Sequence, residues 1–277
     1  MKPKIIEIIG PPGVGKSAIY KSLCRTWKPG SQWAYPDVLL TARPHFFSAR
    51  KWLAYHLRMV LHRKLTKTIP VEYGLRFAAK EQELAAFCWK LISYIQFYND
   101  DEINQRYRSA YFLFTTFSTY QAVLENASEK PCIIEEGFLQ KSFFIRDTKV
   151  DEPLTNCMLD KYLQLAPLPY AVIYMDIPDN SEIVKRLRGR NKIIASHSGK
   201  DDAALLRDIE NWRHVQHIIL EKIQQAGVGV VRFNGHQPVK ENVARIIKLL
   251  KKIETTRDAG SENNKEGSTL NLITQSC

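Results

Sequence analysis

Gly10-Pro11-Pro12-Gly13-Val14-Gly15-Lys16-Ser17 is the stretch on which the reading of this chain turns. It fits G-x-x-x-x-G-K-[ST], a loop whose backbone N–H groups cradle phosphate oxygens. The flanks agree with it. Ile5, Ile6, Ile8 and Ile9 form a short apolar run that predicts a buried strand, and Ala18 to Trp27 predicts the helix that follows. Strand, glycine loop and helix N-terminus together bring main-chain amides onto an anion. Four fixed positions arise by chance in roughly one chain in a hundred of this length. Requiring the strand before and the helix after sets an ordinary glycine-rich turn aside.

Each residue type in the loop has a reason. Gly10, Gly13 and Gly15 permit backbone conformations that a Cβ penalises, and a close approach to the anion. Pro11 and Pro12 stiffen the first half. Lys16 opens the helix within reach of β- and γ-phosphates, and Ser17 offers a hydroxyl to Mg²⁺. With Val14 and Ala18 these residues make Gly10 to Ala18 the expected nucleotide-binding stretch, and a nucleoside triphosphate the expected ligand.

The rest of the composition sets bounds. A chain of 277 residues with 44% hydrophobic residues has room for one large α/β domain with a helical elaboration. Its formal net charge of +11 suits a polyphosphate, nucleic acid or an anionic membrane surface, and does not choose among them. Five scattered cysteines without a C-x-x-C pair argue against zinc and against a disulfide framework. Met1 to Ile9 is too short for a signal peptide. The longest uncharged run, Ser109 to Leu124, is studded with Ser, Thr and Gln, so no transmembrane segment is expected and a cytoplasmic location is.

Apolar, non-alternating runs predict strands at Lys4 to Ile9, Cys132 to Ile134, Tyr170 to Asp176 and Val228 to Phe233, with Gln32 to Tyr35 as a short candidate. Helices are predicted at Leu159–Leu165, Ser181–Leu187, Ala203–Ala226 and Val239–Ile253. A long helical block runs from about Phe46 to Ala127, with Leu84, Phe87, Cys88, Leu91, Ile92 and Ile95 on one face. Asp37 to Pro44 reads as irregular. The alternation of strands and helices predicts a three-layer α/β/α fold on a parallel sheet, whose sites lie at the carboxyl ends of the strands. Thr255 to Cys277, rich in Ser, Thr and Asn, reads as a disordered tail.

Two further clusters carry chemistry. Glu135-Glu136-Gly137-Phe138 follows a buried run, where an acid can hold Mg²⁺ or accept a proton. Adjacent side chains at a strand end point opposite ways, and Glu135, which closes the apolar run, is the expected member; a plain solvated strand end is the alternative. Arg186, Arg188 and Arg190, with Lys185 and Lys192, either neutralise charge on a transferring group from a closing loop or form a solvated helix end beside its dipole. Arg43, Arg76, Arg106, Arg108 and Arg146 are loose candidates for an anionic acceptor. The basic stretch Arg50 to Lys67, interleaved with Trp52, Leu53, Leu57, Val60 and Leu61, reads as a packed helix with a solvated rim, an acceptor channel wall, or a helix on an anionic membrane. His45, His56 and His62 lack metal-ligand spacing.

Gly10 to Ser17, Glu135 to Phe138 and Asp176 to Arg190 together resemble the nucleoside-monophosphate kinase superfamily of P-loop proteins, thymidylate kinases and deoxynucleoside kinases in particular. The resemblance implies a five-stranded parallel sheet, a lid at about 186–202 and a kinase-like domain over 1–254, into which the helical block at about 45–128 is inserted as an expected acceptor region. It implies ATP as phosphoryl donor, with Lys16 on the phosphates, Ser17 and Glu135 at Mg²⁺, Arg186 and Arg190 as lid arginines, and Asn234-Gly235 beside the base. Glu-Glu-Gly-Phe stands where Asp-Arg is usual, and the usual acceptor motifs are missing between Gly30 and Lys130, so the acceptor stays open.

The expectation is an ATP-dependent phosphotransferase acting on a small molecule, a nucleotide or nucleoside among the choices. The competing reading is a P-loop NTPase switch or motor that binds nucleic acid through its basic surface; no second motor domain and no stacking platform support it. Intact Lys16, Ser17 and Glu135 oppose a degenerate nucleotide holder. A homodimer is left open.

Overall fold

In this computed structural model the described residues are 3–40, 47–60, 69–93, 103–126, 130–142, 152–190 and 199–259. The strands are β1 (Ile5–Ile9), β2 (Cys132–Ile134), β3 (Ala171–Asp176) and β4 (Gly229–Asn234). All pair in parallel, in the order β2-β1-β3-β4. β1 lies in the interior of the sheet, so the loop that follows it emerges between β2 and β3.

Near-complete burial explains the apolar runs. Ile6 and Ile8 of β1, Ile173 and Met175 of β3, and Val231 and Phe233 of β4 turn to one face. There they meet α1 (Lys16–Thr26), α9 (Asn180–Arg188) and α11 (Val239–Ala259) through Ile19, Leu23, Leu187, Ile246 and Leu250. Ile5, Ile9, Val172, Tyr174 and Val230 turn to the other, against α5 (Gln82–Ser93), α6 (Ile103–Asn126), α8 (Glu152–Leu165) and α10 (Asp202–Gln225). Alternation by strand parity is kept, but both sides are dry, so the sequence reads as continuous. Glu7 shares its side with Ile5 and Ile9 and is fully buried.

The expected five-stranded sheet is corrected to four strands among the described residues. Where a fifth was expected, Ala34 makes a single parallel bridge to Cys132. Its N–H donates to the Pro131 carbonyl at 2.9 Å and its own carbonyl accepts the Ile133 N–H at 2.9 Å. Pairing ends there because Pro36, which has no N–H to give a ladder, starts the short helix α2 (Pro36–Leu40). That helix takes up 37–40 of the segment Asp37 to Pro44 expected to be irregular; 41–44 lie outside the described residues. Trp27 stands edge-on to Tyr35 with ring centres 6.0 Å apart, which seals this edge.

The helical block is built from α3 (Ala49–Val60), α4 (Val71–Lys80), α5 and α6. Leu84, Cys88, Leu91 and Ile92 are buried as their spacing predicts; Ile95 and the break at Asn99–Asp101 lie outside the described residues. Phe77 stacks on Phe117 at 4.8 Å and on Phe138 at 5.4 Å, which ties α4 and α6 to the segment after β2. Gly74 permits the α4–α6 approach, since a Cβ there would lie 2.5 Å from Ser118 Oγ. No helix among the described residues is long and apolar enough to cross a membrane.

Candidate phosphate-binding site

Beyond Ile9 the chain turns through Gly10, Gly13 and Gly15, with φ of 153°, 94° and 99°. The three need glycine for different reasons. A Cβ on Gly10 would overlap the main-chain oxygen of Met175 on β3, and one on Gly13 would lie 2.8 Å from Ile183 Cγ2 on α9. Gly15 has open space around it, and only its left-handed backbone excludes a side chain. Its carbonyl accepts the Ala18 and Ile19 N–H groups at 3.0 and 3.1 Å, which starts α1. The Lys16 and Ser17 amides precede these bonds, at the helix N-terminus where an anion is ordinarily received. Val14 is buried, Pro12 half-buried, and Ser17 and Ala18 are exposed.

Lys16 is buried and folded back on the loop. Its Nζ donates to the carbonyls of Gly10 at 2.6 Å and Pro11 at 2.8 Å. Burial pushes its pKa down to about 8; Glu136 and Glu135 oppose that, and Arg190 and Lys141 add to it. Two carboxylates and three cations therefore share one electrostatic neighbourhood. Glu135 is half-buried there, while Glu136 is exposed and paired with Lys141. The Lys141 ammonium lies over the Phe112 ring of α6, 4.6 Å from its centre.

The arginines divide. Arg190 is exposed, and its charge reaches Lys16. Arg186 is engaged elsewhere: its Nε donates to Glu182 at 2.9 Å and its Nη1 to the Gly235 carbonyl at 3.0 Å. Arg188 holds Asp202 at 2.8 Å and the Lys200 carbonyl at 2.7 Å. Asn234-Gly235 closes onto the loop, for a Cβ on Gly235 would lie 2.6 Å from the Val14 oxygen. Arg76 of α4 pairs with Glu125 at 2.7 Å, Arg106 is half-buried, and Arg108 is exposed. Arg43, Arg146, His45, His62, Lys192 and the rest of 191–198 in the expected lid lie outside the described residues.

Sequence reasoning passed over four residues that shape this site. Glu7 Oε1 accepts the N–H of Gly137 at 3.0 Å and of Gln140 at 2.8 Å, and Oε2 accepts the Tyr120 hydroxyl at 3.4 Å. It anchors α7 (Phe138–Lys141), a single helical turn after β2. Burial lifts the Glu7 carboxyl to about 7 against these donors. Gln140, so held, accepts the Gly10 N–H at 3.0 Å, and Gln216 of α10 reaches the same oxygen at 3.5 Å. Arg213 of α10 grips Asp176 Oδ2 at 3.0 Å, Asn180 Oδ1 at 2.6 Å and the Ile177 carbonyl at 2.7 Å. It fixes the β3–α9 junction against which Gly10 and Gly13 rest. A lone acid inside Ile-Ile-Glu-Ile-Ile was the available signal for Glu7; the other three gave none.

No protein-family model and no curated protein matches the sequence. Among solved structures the chain is similar to the shikimate kinase of Bacteroides thetaiotaomicron, with 11% identity, 89% of this chain and 98% of that chain covered, and a TM-score of 0.37.

Proposed function

We propose that this chain is an ATP-dependent phosphotransferase acting on a small molecule, with nucleosides and nucleotides as the first acceptors to try. One observation carries the reading. A G-x-x-x-x-G-K-S loop with three positive-φ glycines lies between a buried β1 and the N-terminus of α1, with Glu135 and Glu136 in the field of its lysine. In this reading the loop amides and Lys16 receive the β- and γ-phosphates, Lys16 exchanging two carbonyl partners for phosphate oxygens. Ser17, exposed on the first turn of α1, and Glu135 are hard oxygen donors of the kind Mg²⁺ takes alongside phosphates. Residues Ser17 and Glu135 would hold such an ion, which would supply charge neutralisation to the phosphates. Arg190 is better disposed than Arg186 to meet the transferring group, since Arg186 would first have to leave Glu182 and Gly235. The helical region of about 45–128 is proposed to receive the acceptor, and residues 186–202 to close over it.

Incubation with γ-labelled ATP and a panel of nucleosides, nucleotides and sugars tests the reading. Label in a small molecule supports it. Phosphate released only with added polymer favours the NTPase alternative, and no turnover of any kind overturns both. Lys16→Ala is expected to lose on the order of 3 kcal/mol of transition-state stabilisation, about a hundredfold in kcat/KM. Wild-type turnover in that variant would count against the assigned role.

A further inference from the structure

Within the helical region one segment stands out by its charge. From Val38 to Val71 the sequence contains no Asp or Glu but seven Lys or Arg residues, in a chain that elsewhere mixes 29 acids with its bases. α3 lies within this span, and its side chains sort into two arcs. Trp52, Tyr55 and His56 are half-buried and packed together, with the Trp52 and His56 ring centres 4.2 Å apart. On the outer arc Leu53 and Leu57, one turn apart, are 63% and 55% exposed, and Phe47 just before the helix is 96% exposed. Arg50, Lys51 and Arg58 are exposed as well; by helical spacing Arg50 falls beside Leu57, with Arg58 and Lys51 on the flank away from Leu53. Apolar ridge and cations share one surface, and α3 carries no carboxylate to neutralise it.

The chemistry of the occupant follows from that arrangement. A single small anion is held by cations converging on a hollow; these three are exposed along the length of one helix. Single-stranded nucleic acid is held by successive aromatic platforms, and the Trp52 and Tyr55 rings belong to the inner arc, which leaves Phe47 as one exposed ring beside two leucines. An extended anionic layer with an apolar interior matches both components. We propose that α3 is an interfacial helix that docks this protein on an anionic lipid surface. Phe47, Leu53 and Leu57 enter the headgroup boundary, and Arg50, Lys51 and Arg58 meet lipid phosphates.

The test uses the full chain without nucleotide, so it fails or succeeds independently of phosphoryl transfer. The protein is sedimented with phosphatidylcholine vesicles containing about 30% phosphatidylglycerol, and with pure phosphatidylcholine vesicles. Binding to the anionic vesicles alone, weakened by salt, is expected. Each cation contributes about fivefold to partitioning, so R50Q/K51Q/R58Q should lower it about a hundredfold. L53S/L57S should lower it as well, with circular dichroism and thermal unfolding unchanged in both variants. The proposal is overturned if the folded wild-type protein stays in solution at low salt. It is equally overturned if L53S/L57S binds as tightly as wild type, or if a single-stranded oligonucleotide binds this face in preference to vesicles.

Discussion

At Gly10 a methyl group has nowhere to go, whereas at Gly15 it has room but the wrong dihedral. β3 is an interior strand and cannot retreat from the overlap with Met175. Gly10→Ala is therefore expected to destabilise the protein by about 2–4 kcal/mol, a steric cost on top of the conformational one. Gly15→Ala should cost about 1–2 kcal/mol, the penalty of a left-handed non-glycine residue. Urea unfolding of the two variants decides this, and equal losses would refute the steric account. Lys16 gives a second residue-scale expectation. In its proposed role its ammonium meets phosphate, yet burial brings its pKa to about 8 in the free protein. A bound polyphosphate raises that pKa again, so binding takes up a proton above pH 8. Affinity should be level below pH 8 and fall about tenfold by pH 9. Titration of a fluorescent ATP analogue at pH 7 and 9 checks it; a flat profile would remove Lys16 from the phosphates.

Between β1 and α7 the link is one carboxylate. Glu7 goes from its ordinary 4.5 to about 7 because its burial outweighs the two amides and the tyrosine hydroxyl it accepts from. The folded state thus holds this proton more tightly than the unfolded chain. The stability it confers is full below pH 4.5 and is lost as pH rises through 7, by up to about 3 kcal/mol. Glu7→Gln removes the titration, so its stability relative to wild type should grow between pH 5 and pH 8 in urea unfolding. A constant difference would show that Glu7 titrates normally. The same elements explain what sequence alone made readable. β2, β3, β4, α9 and α10 fall within a residue or two of expectation, since both-sided burial and capping acids such as Asp179 and Asp201 leave plain local marks. α7 was missed because one turn has no periodicity, and the fifth strand was overestimated because Trp33 and Tyr35 look like strand residues while Pro36 sets the limit.

For the molecule as a whole, the phosphate loop could be read from eight residues, but the support that shapes it could not. Gly10 rests on Met175, Gly13 on Ile183, Val14 on Gly235, and the Gly10 N–H on Gln140. Each partner sits at a large and arbitrary distance along the chain, where no periodic pattern can announce it. The Gly235 contact has a consequence for biosynthesis. In chain order the residues that spell the motif are made well before Gly235 and the β4 wall they lean on. A chain ending before β4 would carry the complete signature and lack that wall.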